Sequence, residues 1–375
     1  MKRAFPLSFS LCSLVAAGLL LAGSLPVRGE SAAEPLKRPA IVSAQATRSV
    51  LLDVAQAGKR LVVVGERGIV LLSDDSGAQW RQAKVPVSVT LTAVSFASAR
   101  TGWAVGHYGT VLRTDDGGES WTVQLDGVQL AELALTAAKT KAAQAPDDPK
   151  ARALLTEAER LVKDGPDKPF LDLWFENETT GFVLGAFNLI FRTEDGGRSW
   201  IPWMDRVENP KVLHLYALRP AGSVLYMAGE QGLVLRSTDG GQSFKKVESP
   251  YAGSFFTLMV LPSGDVLAAG LRGNAWVLDT AGAWRKIDPT PPVSFTSSAL
   301  GADQAIYVTN FAGQVLASRD GARSFQPLPL PPLPPLTNVL PLKDGLLVLS
   351  LQGLIKLPAP PSAAAAPAPQ AGGAR

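Results

Sequence analysis

Carboxylates recur along this chain at a fixed spacing, and they are the first residues to test for chemistry. Asp75, Asp116, Asp195, Asp239, Asp279 and Asp320 are each followed five positions later by an aromatic: Trp80, Trp121, Trp200, Phe244, Trp284 and Phe325. The phrase is Ser/Thr-x-Asp-x-Gly-x-x-Trp/Phe, clearest in Thr114-Asp-Asp-Gly-Gly-Glu-Ser-Trp121 and Thr193-Glu-Asp-Gly-Gly-Arg-Ser-Trp200. Carboxylates facing each other across a cleft would suit glycoside hydrolysis. Six copies of one local phrase point instead to a repeated turn. Such an aspartate accepts hydrogen bonds from N–H groups of its own turn, and the glycine takes a conformation that other residues resist. These aspartates are therefore read as structural staples, with the aromatics packing between neighbouring units. The fifth and sixth copies are worn: Val277 replaces the opening Ser/Thr, and Ala281 and Ala322 stand where glycine is expected.

Other chemistry is thin. Glu66 and Glu230 are the carboxylate pair to consider for a sialidase-like hydrolase, which would also need an arginine triad and a Tyr–Glu nucleophile. Tyrosine is sparse, and only Tyr108 falls in a turn. The two histidines, His107 and His214, have no cysteine or carboxylate cluster beside them, so no metal site is expected. His214, in Val212-Leu-His-Leu-Tyr216, reads as a core or channel residue. The glycine-rich turns lack the lysine and following helix of a phosphate loop. Gly-x-Ser-x-Gly is absent. No catalytic residue and no cofactor are expected.

The elements that carry these residues repeat. The aspartates are 40 to 44 residues apart, except for one step of 79. The units align as Val62 to Trp80, Trp103 to Trp121, Phe182 to Trp200, Tyr226 to Phe244, Leu267 to Trp284 and Tyr307 to Phe325. A seventh, Leu346 to Lys356, lacks the Asp phrase. Each offers four short strands, and a period near 40 with such content predicts an all-β, seven-bladed propeller over residues 40–357. The Gly-x-x-Gly between strands two and three reads as a hairpin turn. Because an open ring leaves unpaired edges, the segment Ala40 to Ala46 is expected to supply the fourth strand of the seventh blade.

The long step hides an Ala-, Leu-, Lys- and Glu-rich stretch over residues 128–167, split by Ala145-Pro-Asp-Asp-Pro149. It predicts a helical hairpin between blades two and three. That connection lies on the face of the Gly-x-x-Gly turns, opposite the Asp phrases. The insertion should share that surface with Leu271, Phe311 and the candidate partner-binding set, Glu66, Arg67, His107, Tyr108, Phe187, Asn188, Glu230, Gln231 and Arg272.

Residues 1–29 read as a secretory signal peptide, with Lys2 and Arg3 before the apolar run Leu11 to Ala22. Cys12, the single cysteine, lies within it behind Ser10-Leu11, so lipidation is not expected. Without the signal there is no thiol chemistry or disulfide framework. Loss of Lys2, Arg3 and Arg28 takes the formal charge from +3 to zero, which argues against nucleic acid as the main partner. Residues 358–375 are Pro/Ala/Gly-rich and expected to be disordered. Arg113, Arg192 and Arg236 recur just before the Asp phrase and read as framework residues pairing with neighbouring blades.

Gly102-Trp-Ala-Val-Gly-x-x-Gly-Thr-Val-Leu-Arg-Thr-Asp-Asp-Gly-Gly-x-Ser-Trp121 and its relatives over residues 48–357 resemble the photosystem II stability and assembly factor family. The resemblance implies a seven-bladed Asp-box propeller outside the cytoplasm, in the periplasm or a thylakoid lumen. It also implies a non-enzymatic scaffold that binds a membrane-protein complex: a photosystem subunit, or a transporter component in a non-phototroph. The helical insertion and the tail depart from the phototroph pattern. An Asp-box glycoside hydrolase is the alternative.

Overall fold

The computed structural model describes residues 34–288 and 290–360. The signal-peptide reading, Cys12 and all but the first residues of the expected tail lie outside them. Short strands follow one another as antiparallel meanders, because glycine-rich turns break apolar runs of only four to seven residues. Seven such sheets form the blades of the propeller.

The innermost strands are Leu51–Ala57, Leu91–Phe96, Phe170–Phe175, Leu215–Ala221, Phe255–Val260, Phe295–Leu300 and Leu336–Leu342. Each shows a register shift at its first pairs, so one extra residue bulges toward the ring axis. The second and third strands are buried almost throughout, as Val62 to Val64 and Val70 to Leu72 show, because both their faces meet a neighbouring blade. The core is accordingly a set of clusters between adjacent blades, such as Trp121 with Val62 and Leu72. In one of these clusters Trp103 stacks on Phe175.

Among the described residues, six blades have four strands and the seventh has three. The expected closing strand from Ala40 to Ala46 is not formed. Ala40 N–H donates to Val85 O at 3.0 Å, and Gln82 holds Ser43 N and Ile41 O through its side-chain amide. These contacts fix the segment on blade one. The ring closes by side chains instead. Thr337 Oγ1 donates to Leu51 O at 2.6 Å, Asn338 Nδ2 to Asp53 Oδ1 at 2.6 Å, and Lys356 Nζ to Ser76 O at 3.0 Å.

Between blades two and three the chain forms α1 (Gly127–Gln144) and α2 (Pro149–Asp164). Asp126 starts α1 with a capping box, its carboxylate accepting from Val128 N and Gln129 N. Asp148 caps α2 ahead of Pro149, and Gly165 (φ 85) follows its end. Leu130, Ala131, Ala134 and Ala138 face inward and join a cluster with Phe170, Leu189 and Phe191 of blade three. No helix among the described residues is long and apolar enough to cross a membrane.

Candidate functional site

Two faces of the ring are built from two different turns. On one face, strands three and four are joined by the Asp phrase. Asp239 Oδ1 accepts Ser237 Oγ–H at 2.7 Å and Ser243 N–H at 3.1 Å, while Oδ2 accepts Ser243 Oγ–H at 2.7 Å. These bonds hold its carboxyl down at about 2. Asp116, Asp195 and Asp320 repeat the arrangement, Asp75 keeps its Oδ1 half with Gln79 in place of the second serine, and the Asp320 carboxyl is also held at about 2, its burial outweighed by the hydrogen bonds from Ser324 and Ser318. Asp279, in the worn copy, keeps only Ala283 N–H at 2.8 Å. The carbonyls of these turns also join blades. Gly117 O accepts from Arg60 Nη1, Gly196 O from Arg113 Nη1, Gly241 O from Trp203 Nε1 and Ala322 O from Arg285 Nη2, each donor lying on the preceding blade. Arg192 is buried over Phe182 and Trp203, and Arg236 lies over Tyr226. Arg113 and Arg192 pack within the framework, whereas Arg236 is exposed.

The opposite face carries the turns between strands two and three. The first tip residue of every blade donates its N–H to the carbonyl just before that blade's innermost strand, as in Glu66 to Val50 and Glu230 to His214. The second tip residue is left-handed in Arg67, Tyr108, Phe187, Gln231 and Arg272, with φ between 52 and 58. A glycine follows in four of these turns, with φ of +60 to +75. Its freedom is required: a Cβ on Gly232 would stand 1.7 Å from Tyr251 O. In blade three Asn188 (φ 59) takes the glycine's place, a substitution asparagine tolerates.

Within this frame the candidate partner-binding residues divide. Glu66 Oε1 accepts Val50 N–H at 3.0 Å, and Glu230 Oε2 accepts His214 N–H at 2.9 Å. Both carboxylates therefore cap the entry to their own innermost strand. Asn188 is buried, its amide donating to Met204 O and its Oδ1 accepting from Asn209. It is part of the framework, not of the outer surface. Arg67, His107, Gln231 and Arg272 are exposed and Tyr108 is half-buried. Phe187 is 41% exposed, with Arg160 of the insertion and Lys168 just after it 5.8 and 5.5 Å from its ring centre. His214 packs edge-on against it at 4.6 Å, with Nδ1 3.1 Å from Glu230 Oε2. His214 is thus a turn-face residue and not a core one. Leu271, Phe311 and Leu351 are further exposed apolar tips, on blades five, six and seven. The insertion stands on the same face: Gly109 N–H donates to Lys168 O at 2.8 Å, and a Cβ on Gly109 would strike Leu130.

Sequence reasoning missed the ring axis. A cavity of about 300 Å³ there is lined by Asp53, Asp172, Tyr216, Arg219, Phe256 and Asn338 among others. Asp53 Oδ2 accepts Val94 N–H and Asp172 Oδ2 accepts Leu218 N–H, each from the following blade, and Arg219 Nη1 bonds Asp172 at 2.6 Å. Burial, reinforced by the charge of Asp172, pushes the Asp53 carboxyl up to about 7. A neighbouring acid in this state resembles a hydrolase pair, but both Asp53 oxygens are engaged, Oδ1 by Asn338 and Val54. The network joins blades. Burial and the charge of Glu230 raise the Tyr216 hydroxyl to about 12, so it stays protonated. Among the described residues, no three His, Cys, Asp or Glu side chains converge as a metal-ion set.

Comparison with known proteins adds the following. The family model described as Photosynthesis system II assembly factor YCF48 matches residues 72–141 and 155–251. A curated relative, the "Photosystem II assembly lipoprotein Ycf48" of Synechococcus sp. (strain CC9902), is 28% identical over 146 residues, 35% of this chain. The match spans only 44% of that relative's length. The solved structure titled "YCF48 bound to D1 peptide" superimposes with a TM-score of 0.61 at 18% identity, over 84% of this chain and 94% of that one. The GH74 xyloglucanase from Xanthomonas campestris gives 0.59 at 14% identity, over 84% of this chain and 52% of that one. At such identities both structures share the fold alone.

Proposed function

We propose, from this chain's kinship with the photosystem II assembly factor family, that it is an exported, non-enzymatic scaffold that binds a membrane-protein complex through its turn-and-insertion face. One observation carries the reading. The helical insertion stands beside half-exposed Phe187, on the face where side chains differ from blade to blade while the backbone repeats. Aromatic and cationic groups so placed form the kind of anchor that protein interfaces use. The non-enzymatic part is supported by the engagement of Glu66 and Glu230 with their own backbones.

The client is a photosystem subunit in a phototrophic host, and a component of a membrane transport complex in any other. The site of action is the periplasm or the thylakoid lumen. The test is a crosslinking capture by the tagged mature chain from host membranes, with partners identified by mass spectrometry. Enrichment of a membrane complex, weakened by deleting residues 128–167 and by Phe187→Ala, is the expected result. No enriched protein, together with turnover of a glycan panel that Glu230→Gln abolishes, would replace the scaffold with an Asp-box glycoside hydrolase.

A further inference from the structure

Blade seven ends one strand short. Its third strand, Gly353–Pro358, pairs with Gly345–Ser350 on one side and with no strand on the other among the described residues. An edge strand leaves half of its N–H and C=O groups facing outward, a template for pairing. The N-terminal segment that the sequence offered for this place bonds to blade one at Ala40 and Ser43, and its last residue, Ala46, packs in the cluster with Leu354 without adding a strand. The sheet beneath the edge is nonetheless finished. Leu328, Leu330 and Leu333 of the proline-rich connection, like Ile355, pack against the cluster that holds Leu357. Proteins commonly guard such edges with a free lysine. Here Lys356 is tied to Asp344 at 2.8 Å and to Ser76 O of blade one.

We propose that Gly353–Pro358 is a β-augmentation site, where an extended segment of the client polypeptide pairs antiparallel as the fourth strand of blade seven. This rests on the scaffold reading above. The sister blades show what fits: their outer strands run from two residues, as in Arg81–Gln82, to four, as in Thr122–Leu125. Recognition is then by main chain, and the ligand is defined by extended conformation and available N–H groups more than by side chains. The chain's own residues 361–375 would bring Pro361, Pro367 and Pro369 into the ladder, withdrawing donors. A second copy would set one Lys356 strand beside another, with like charges close together.

The probe is an acetylated, amidated peptide of residues 120–126, the outer strand of blade two with its flanks, and the same peptide carrying Val123→Pro. The control is the full mature chain with residues 115–125 inserted after Leu357, which fills the edge covalently. The unaltered chain should bind the first peptide and bind the proline version about tenfold more weakly or worse. The edge-filled chain should bind neither. Absence of peptide binding, or equal binding by the edge-filled chain, overturns the proposal. So does a dimer that edge-filling makes monomeric, or peptide binding seen only after removal of residues 361–375. In membrane capture, loss of the client by the edge-filled chain supports the proposal. Equal capture overturns it while the scaffold reading stands, whereas peptide binding with no captured client sinks the scaffold reading and keeps the edge.

Discussion

The two faces of this ring solve opposite problems with the same meander. On the Asp-box face the side chains repeat and their polar atoms are consumed locally, Asp239 by Ser237 and Ser243, Gly241 O by Trp203. On the turn face the backbone repeats, from Glu66 N–H on Val50 O to Leu351 N–H on Pro335 O, while the side chains run from Glu66 to Phe311. A face whose geometry is held by main chain is free to vary in side chain, and that is where recognition can be placed without loss of the fold.

The sharpest way to break this contrast is through glycine. Gly232→Ala on the turn face adds a Cβ 1.7 Å from Tyr251 O at φ +73 and should cost about 3 kcal/mol or more. Gly240→Ala on the box face meets nothing within 4 Å at φ +69 and should cost only about 1 kcal/mol. Denaturant unfolding measures both, and equal losses would refute a turn face held by its backbone. Next in size, Asp239→Ala should destabilise by about 1–2 kcal/mol and Asp279→Ala by less, because the latter removes fewer hydrogen bonds.

A smaller effect separates the axis from both faces. The Asp53 carboxyl titrates at about 7 in the folded ring against an ordinary 3.8, so the folded state holds that proton more tightly. This contribution to stability is present below pH 3.8, falls as pH rises between those two values, and is flat above. Asp53→Asn should therefore compare more favourably with the unaltered chain in unfolding free energy above pH 7 than near pH 4, by about 1 kcal/mol for a group beside a water-accessible channel. A difference from the unaltered chain that is equal at both pH values would deny the linkage. Smallest of all, Gln231→Ala should change stability by no more than about 0.5 kcal/mol, and a larger loss in thermal melts would show that the tip side chains hold the fold.

The blades and the insertion were legible because their signals are local. A box aspartate bonds the residue four positions on, and the capping box of α1 spans four residues, so both appear as short phrases. What was not legible depends on distant residues. Asp53, Asp172 and Arg219 meet at the axis from separate blades, and the repeat position that is aspartate in Asp53 and Asp172 is alanine in Ala93 and Ala217. Ala40 to Ala46 has the apolar character of a strand, and bonds to the distant Gln82 and Val85 help decide where it goes. Asn188 looks like a polar tip until its φ of 59 shows it standing in for glycine.

Closure of the ring by Asn338 and Asp53 also sets an order of events. These residues are 285 positions apart, and the bond between blades seven and one forms only when both ends of the chain are present. Contacts of such separation are the slow ones in folding. A chain emerging N-terminus first would build its early blades with an unpartnered flank on blade one, and would depend on holding factors until its last sixth arrives.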